Sequence, residues 1–397
     1  MRGAVHTHWQ VLPKHVVLAL AASLLVACGS APVQPPASVP ATAEPAPPTS
    51  VPEAALDVPD LSTLPPLQRG SSRWVAVPWT DLPGLQTDTL FEAWNAWLKS
   101  CERPGDVFAA LCPQVRALSI ATAQEQLQWL QAQFVPYRVE SLQGRSSGLL
   151  TSYYEPEFEA RRRPSRGFEV PLFQPPVGLN ARTPWFTRQD IDTRPEAQAA
   201  LNGRAIAYVA DPVQAMLMQI QGSGRLRLTE ADGRVQWVRL AYAGNNGQPY
   251  KSIGRWLLDQ GELRDASWPG IRAWLLQNPQ RTQELMWQNP RVVFFKEEIL
   301  NSFDSGFGPK GAQGVPLTPG RSIAVDPQSI PYGTPVWLVS EGSQLTLQRL
   351  VLAQDTGSAI RGAVRADYFA GWGTAAGELA GQLNQPLRLW VLWPRPR

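Results

Sequence analysis

Apolar residues first settle into a helical rhythm between positions 90 and 98, where Leu90, Phe91, Trp94, Trp97 and Leu98 fall at intervals of three and four. That spacing predicts a helix with one core-facing stripe. Thr122 with Glu125 three residues on reads as a capping box that opens a second helix, with Leu127, Leu130 and Phe134 as its buried face. Residues 144–148 break the pattern, and strands take over. Residues 149–154 are rich in β-formers and end at Glu155-Pro156. Residues 204–210, 225–228 and 234–242 read as further strands. Asp211-Pro212 has the form of an N-cap followed by proline at the first helical position, so a short helix should run to Gln219. Residues 242–247 carry a strong turn signal and read as a loop. Helical stretches are expected at 253–260, stopped by Gly261, then at 266–277 and 281–288, closed by Pro290. Residues 292–295 form another strand, and 387–392 the last.

One acid stands out within this pattern. The apolar run 350–353 reads as a buried strand; Asp355 follows it, and Gly357 and Gly362 mark a tight turn beyond. A carboxyl at the mouth of a buried strand is disfavoured in its charged form, and a neutral carboxyl at working pH is what a general acid needs. The competing reading is a turn aspartate bonding its own backbone. Two more acids lie in similar settings, Asp326 after residues 323–325 and Asp367 within 365–369. Tyr153 and Tyr154 either pack a sheet, one ring to each side, or offer an aromatic platform to a saccharide. Gln221-Gly222-Ser223-Gly224 is either a plain helix-to-strand turn or a place where a ligand approaches the backbone and meets hydrogen-bonding side chains.

Composition narrows the class. The chain has 397 residues, a net charge of +3 and 17% charged residues, with 31 Gly and 38 Pro. That is long enough for two domains, favours a β-rich, turn-rich architecture, and lacks the clustered basic stripe of a nucleic-acid binder. Residues 1–27 read as a targeting segment, with Arg2, Lys14 and an apolar run, 16–27, too short to span a bilayer comfortably. Leu25-Val26-Ala27-Cys28 is either a lipobox, preferred here because Cys28 falls where cleavage is expected, or an ordinary secretory signal with an incidental cysteine. Residues 28–68, dense in Pro and Ala, read as a tether without fixed structure. Cys101 and Cys112 either pair in an oxidising compartment, with Pro104-Gly105 reversing the chain between them, or remain buried thiols; the disulfide is preferred. All three His lie in the targeting segment and no second cysteine pair or Walker-type loop is present, so neither a metal site nor a nucleotide cofactor is expected.

Several ordered motifs carry a family resemblance: residues 150–156, 221–224, 242–254, 289–296, 323–332, 350–362 and 365–372. Together they resemble MltA-type membrane-bound lytic murein transglycosylases, from about Trp74 onward. The resemblance implies a mainly β fold with flanking helices (α+β). A double-psi β-barrel domain, 69–155 plus 290–397, would hold the catalytic acid. A smaller inserted β-domain, 156–289, would form the other wall of a cleft. It implies a lyase, with exolytic action as the expected mode. Asp355 would protonate the oxygen between N-acetylmuramic acid and N-acetylglucosamine, then act as base on the muramoyl C6 hydroxyl, which closes a 1,6-anhydro ring. Asp326 and Asp367 are supporting acids, with bonds to turn N–H groups as their preferred role. Substrate contacts carry over to Thr151, Tyr153, Tyr154, Gln221, Gly222, Ser223, Asn246, Tyr250, Ser252 and Arg361. The chain departs from some relatives at Ser152, Glu155 and Thr356, and Glu155 would be a second carboxylate if it faced Asp355. Cys28, with Gly29 after it, implies a lipid-anchored protein of the outer membrane facing the periplasm of a Gram-negative bacterium. Peptidoglycan glycan strands are the expected partner; cell-wall synthesis or division complexes are open. The alternatives are a non-catalytic peptidoglycan-binding lipoprotein and a hydrolase with a reducing-end product.

Overall fold

The structure, a computed structural model, describes residues 64–180, 182–343 and 345–396. The targeting segment, Cys28 and most of the expected tether lie outside them. The chain enters through β1 (Leu67–Arg69) and β2 (Ser72–Ala76), so β1 begins two residues inside the expected tether. A helical cap follows: α1 (Phe91–Ser100), α2 (Asp106–Ala109), α3 (Cys112–Ala117) and α4 (Ala123–Gln133). β3 (Phe134–Ser141) and β4 (Gly148–Glu155) come next. The middle of the chain holds β5 (Glu157–Arg161), β6 (Val170–Phe173), α5 (Arg188–Thr193), α6 (Pro195–Leu201), β7 (Ala205–Val209), α7 (Pro212–Gln221), β8 (Gly224–Thr229) and β9 (Val235–Asn245). It continues with α8 (Ile253–Asp259), α9 (Trp268–Gln277), α10 (Thr282–Trp287) and β10 (Val293–Ile299). The last stretch is β11 (Ser322–Val325), β12 (Pro335–Glu341), β13 (Thr346–Asp355), β14 (Arg365–Trp372), α11 (Gly373–Gln382) and β15 (Asn384–Pro394).

Two sheets divide these strands. The nine-stranded sheet runs β1-β2-β3-β15-β12-β13-β11-β14-β4, and a further pairing of β15 with β4 closes six of its strands into a ring. Two contacts in the ring are parallel, β11 with β13 and β14 with β4. This is the barrel expected from the resemblance. The six-stranded sheet runs β10-β9-β8-β5-β7-β6. The expected boundary at residue 289 falls one strand short, because β10 lies beyond it and pairs with β9 in the smaller sheet.

Barrel strands read as continuous apolar runs because both of their faces are buried. Val336 and Leu338, Val351 and Ala353, and Leu389 and Val391 join a cluster that draws on all six ring strands and fills its interior. Their neighbours Trp337, Leu350, Leu352, Trp390 and Leu392 point the other way, into a second core under the helical cap. Leu90, Trp94 and Trp97 are fully buried there, as their spacing predicts, but Phe91, expected on the same stripe, is 60% exposed at the first turn of α1. Thr122 and Glu125 form the capping box of α4 in both directions. Phe134 is buried, but as the first residue of β3 rather than on the helix face. Cys101 and Cys112 are joined in a disulfide that ties the end of α1 to the start of α3.

One loop expectation is corrected. Residues 242–245 belong to β9, where Gly244 and Asn245 pair with Phe294 and Val293. The turn-forming residues are held in extended pairing by the neighbouring strand, and only Asn246-Gly247 leaves the sheet. Nonlocal pairing has overridden the local turn preference here.

Candidate active site

Asp355 owes its direction to a bulge. In β13, Leu352 and Ala353 face Ser322 and Ile323 of β11, but Ala324 is opposite Asp355, so Gln354 is an extra residue. An extra residue re-aims the side chains beyond it. With strict alternation Asp355 would share the face of Val351 and Ala353, inside the barrel. Past the bulge it shares the face of Ala324, which opens on a cavity. The bulge is anchored: the Gln354 amide donates to Ala96 O and Ser100 Oγ of α1, both at 2.8 Å, and accepts from Ser322 Oγ.

Register then assembles a row across four strands. Thr151 of β4 is opposite Asp367 of β14, Asp367 is opposite Ala324 of β11, and Ala324 is opposite Asp355. The small side chain of Ala324 leaves space between the two acids. Tyr153, two residues along β4 and on the same face as Thr151, donates its hydroxyl to Asp355 Oδ2 at 2.8 Å. The N–H of Ala312 donates to Asp355 Oδ1 at 2.9 Å. Gly311 precedes it because a Cβ there would meet Gln354 O at 2.5 Å. Thr151 Oγ1 donates to Asp367 Oδ1 at 2.6 Å and accepts from Arg365 at 2.8 Å.

Burial raises the Asp355 carboxyl above its ordinary range, against the hydrogen bonds from Tyr153, Thr356 and Ala312. Asp367 is pushed up to about 6, mainly by burial, with the charge of Asp355 acting the same way and Thr151 and Arg365 opposing. The Tyr153 hydroxyl, buried beside Asp355, is raised well above its usual value and stays a donor. Asp355 is thus an acid partly open to the cavity, held by Tyr153, Thr356 and Ala312 with no cation in contact, and burial favours its protonated form.

The cavity has a volume of about 580 Å³ and lies between the barrel and the smaller sheet. Asp355, Asp367, Tyr153, Gln221, Gly222, Ser223 and Arg361, all singled out in the sequence, line it. Gly222 caps α7 with a left-handed backbone, φ 84°, so the turn reading holds, and the same segment lines the cavity. Contributors that were not foreseen include Tyr242, which lines the cavity from β9, Gln219 near the end of α7, and Lys310 through Ala312, which carry no distinguishing pattern in the sequence.

Five expected contacts do not line it: Thr151 holds Asp367 instead, and four sit elsewhere. Tyr154 packs beneath α11, and its N–H donates to the side-chain Oε1 of Gln221 at 3.0 Å. Asn246 is fully buried, donating to Phe186 O and Pro290 O and accepting from Val292 N–H. Ser252 caps α8, accepting from Arg255 N–H at 3.1 Å, and Tyr250 lies beside it, its hydroxyl raised chiefly by burial. Among the supporting acids, Asp326 does bond turns, accepting from Gln328 N–H at 3.1 Å and Gly362 N–H at 2.9 Å. Asp367 does not; it faces the cavity. Glu155 does not face Asp355 at all. Its exposure is 0%, and Arg225 and Arg239 of the smaller sheet clamp it at 2.7 and 2.6 Å.

Comparisons with known proteins agree with this architecture. Residues 149–296 match the MltA specific insert domain, and residues 321–393 match the 3D domain. The membrane-bound lytic murein transglycosylase A of Vibrio cholerae is 34% identical over 256 residues, which are 62% of this chain and 65% of that protein, just under two thirds of its length. Its Escherichia coli K12 counterpart is 34% identical over 273 residues, 66% of this chain and 69% of its own. The crystal structure of Escherichia coli MltA with bound chitohexaose is similar at a TM-score of 0.65 and 27% identity, covering 83% of this chain and 95% of that one. The lytic transglycosylase LtgG of Burkholderia pseudomallei is similar at a TM-score of 0.56 and 40% identity, covering 84% of this chain and 99% of that one.

Proposed function

The chain belongs to the MltA family of membrane-bound lytic murein transglycosylases, and on that premise we propose that it is a peptidoglycan lyase in which Asp355 is acid and then base. The observation that carries this reading is the Asp355 carboxyl itself, raised by burial, open to the cavity and held by Tyr153 and the Ala312 N–H. Protonated Asp355 gives its proton to the glycosidic oxygen between N-acetylmuramic acid and N-acetylglucosamine as the bond to C1 breaks. The resulting carboxylate takes the proton of the muramoyl C6 hydroxyl as that oxygen bonds to C1. The product is a 1,6-anhydro ring, and no water enters. The attack is intramolecular and so gains from high effective concentration. Tyr153 fixes the carboxyl and stabilises its charged form for the second step. Arg361, Gln221 and Ser223 line the cavity with hydrogen-bonding groups suited to a saccharide's amides and hydroxyls, and chitohexaose bound to the Escherichia coli relative supports an oligosaccharide ligand.

A hydrolase is the second reading, because Asp367 lines the same cavity and paired carboxylates can activate water. Its Oδ1 already accepts from Thr151, which favours a positioning role. Incubation with isolated sacculi and mass analysis of the soluble products tests both. Anhydro-muropeptides are expected; reducing-end muramic acid would move the assignment to a hydrolase, and no release would leave a binding protein.

Attachment to the outer membrane through acylated Cys28, facing the periplasm, completes the proposal. It is supported by Leu25-Val26-Ala27 before Cys28, by the membrane-bound relatives, and by a disulfide of the kind an oxidising compartment maintains. Cys28→Ser should release the protein from the membrane fraction.

A further inference from the structure

A second and larger cavity, of about 1160 Å³, lies on the smaller sheet between β6 and β7 and the helices α5, α6, α7 and α10. Its chemistry differs from that of the catalytic cavity. Arg188 enters it from α5 with its guanidinium largely buried, donating to Asn289 O at 3.0 Å, Gln219 Oε1 at 2.6 Å and Arg291 O at 2.5 Å. All three acceptors are neutral. Among the described residues no carboxylate lies within ion-pair distance of this guanidinium, and burial lowers its pKa to about 10. Asp192, whose charge acts on it from beyond ion-pair distance, is itself held by Gln283 at 2.5 Å and Trp287 at 2.8 Å. Glu169 and Arg163 line the groove, and Arg162 is neutralised by Glu230 and Glu297. A buried cation with no carboxylate in direct contact is costly, and a carboxylate brought by a ligand relieves that cost.

The groove adjoins the catalytic cavity. Gln219 lines both, and its amide oxygen is the one that accepts from Arg188. Arg188 is therefore one side chain behind the wall of the cavity that contains Asp355. We propose that this groove binds the acidic peptide that peptidoglycan carries on its muramic acid, with a peptide carboxylate on Arg188; this rests on the chain's acting on peptidoglycan. An extended peptide advances about 3.5 Å per residue, so a stem of a few residues leaving a glycan strand in the catalytic cavity is long enough to enter the groove.

Binding, rather than turnover, tests it. Calorimetry would compare the full chain with Arg188→Gln and with Ala199→Trp. The second variant fills the groove from the exposed face of α6 and removes no side-chain hydrogen bond, so it answers even where loss of Arg188 disturbs folding. The probes are peptide-bearing glycan strands, the same strands stripped of peptide, and an N-acetylmuramoyl peptide with its carboxylates free or amidated. Both variants should weaken binding of the peptide-bearing strands and of the free-acid peptide about tenfold or more, with stripped strands bound as before. Equal losses on both kinds of strand, no loss on either, or an amidated peptide bound as tightly as the acid would each overturn the proposal. Peptide-selective binding by a protein that releases no muropeptide would instead overturn the lyase reading and leave this one standing.

Discussion

β4 passes through two acidic settings that are opposite in kind. Around Thr151 and Tyr153 it meets Asp367 and Asp355, acids held by hydroxyls and a backbone N–H. Four residues beyond Thr151, Glu155 is enclosed by Arg225 and Arg239, which also donate to Phe307 O at 2.8 and 2.6 Å, while Arg225 stacks over Trp372 at 3.8 Å. Both settings are buried, but only Glu155 has guanidiniums in direct contact; at the other setting the positive charge of Arg365 reaches Asp367 through Thr151. Without direct contact of that kind, burial raises a carboxyl pKa and favours its protonated form. With it, the carboxylate becomes a charged tie between the barrel and the smaller sheet. Burial of an acid therefore says little about its role until its partners are known.

The sharpest way to break this contrast is Asp355→Asn, which keeps the shape and removes the proton. Release of anhydro-muropeptides from sacculi should fall by about 10²–10⁴-fold or more with the melting temperature near that of the parent. Full activity would remove Asp355 from the chemistry. At the other setting, Glu155→Gln leaves two buried guanidiniums without their counter-charge. Denaturant unfolding should show a loss of about 3–5 kcal/mol, and the fraction that stays folded should keep its lyase activity. A stable but inactive Glu155→Gln would give this residue a catalytic part after all.

Tyr153→Phe sharpens the first setting. The hydroxyl lowers the Asp355 pKa, so its removal raises that pKa further. The protonated acid is the active form, so the alkaline limb of the pH–rate profile should move to higher pH, with a rate loss of about tenfold from misplacement of the carboxyl. An unmoved limb would detach Tyr153 from the titration. The smallest effect is expected at Asp367. Its folded pKa of about 6 lies above the ordinary 3.8. Its contribution is therefore fully present below the ordinary value and is lost as pH rises through 6. Asp367→Asn should raise the melting temperature at pH 7 by about 2–5 °C and flatten that decline. A lower melting temperature at pH 7 would mean that the charged carboxylate is itself a structural tie.

Much of this molecule is determined by its sequence. The capping box at Thr122, the Asp211-Pro212 opening of α7 and the tryptophan stripe of α1 are local devices, readable because the groups that satisfy them lie within a few residues. The buried runs of β11 and β13 are legible for the same reason, and Asp355 stands out as the polar residue that ends one of them. What the tertiary structure decided is which way these residues face and whom they meet. Tyr153 and Asp355 are 202 residues apart, and only the pairing of β4 with β14, β14 with β11 and β11 with β13 brings them together. The Gln354 bulge, anchored by α1, turns Asp355 from the barrel interior to the cavity. The arginines that enclose Glu155 arrive from another sheet, and the turn-like residues 242–245 are drawn into β9 by β10. Each depends on register between distant strands, and a shift of one residue exchanges the faces of a strand without altering its local pattern.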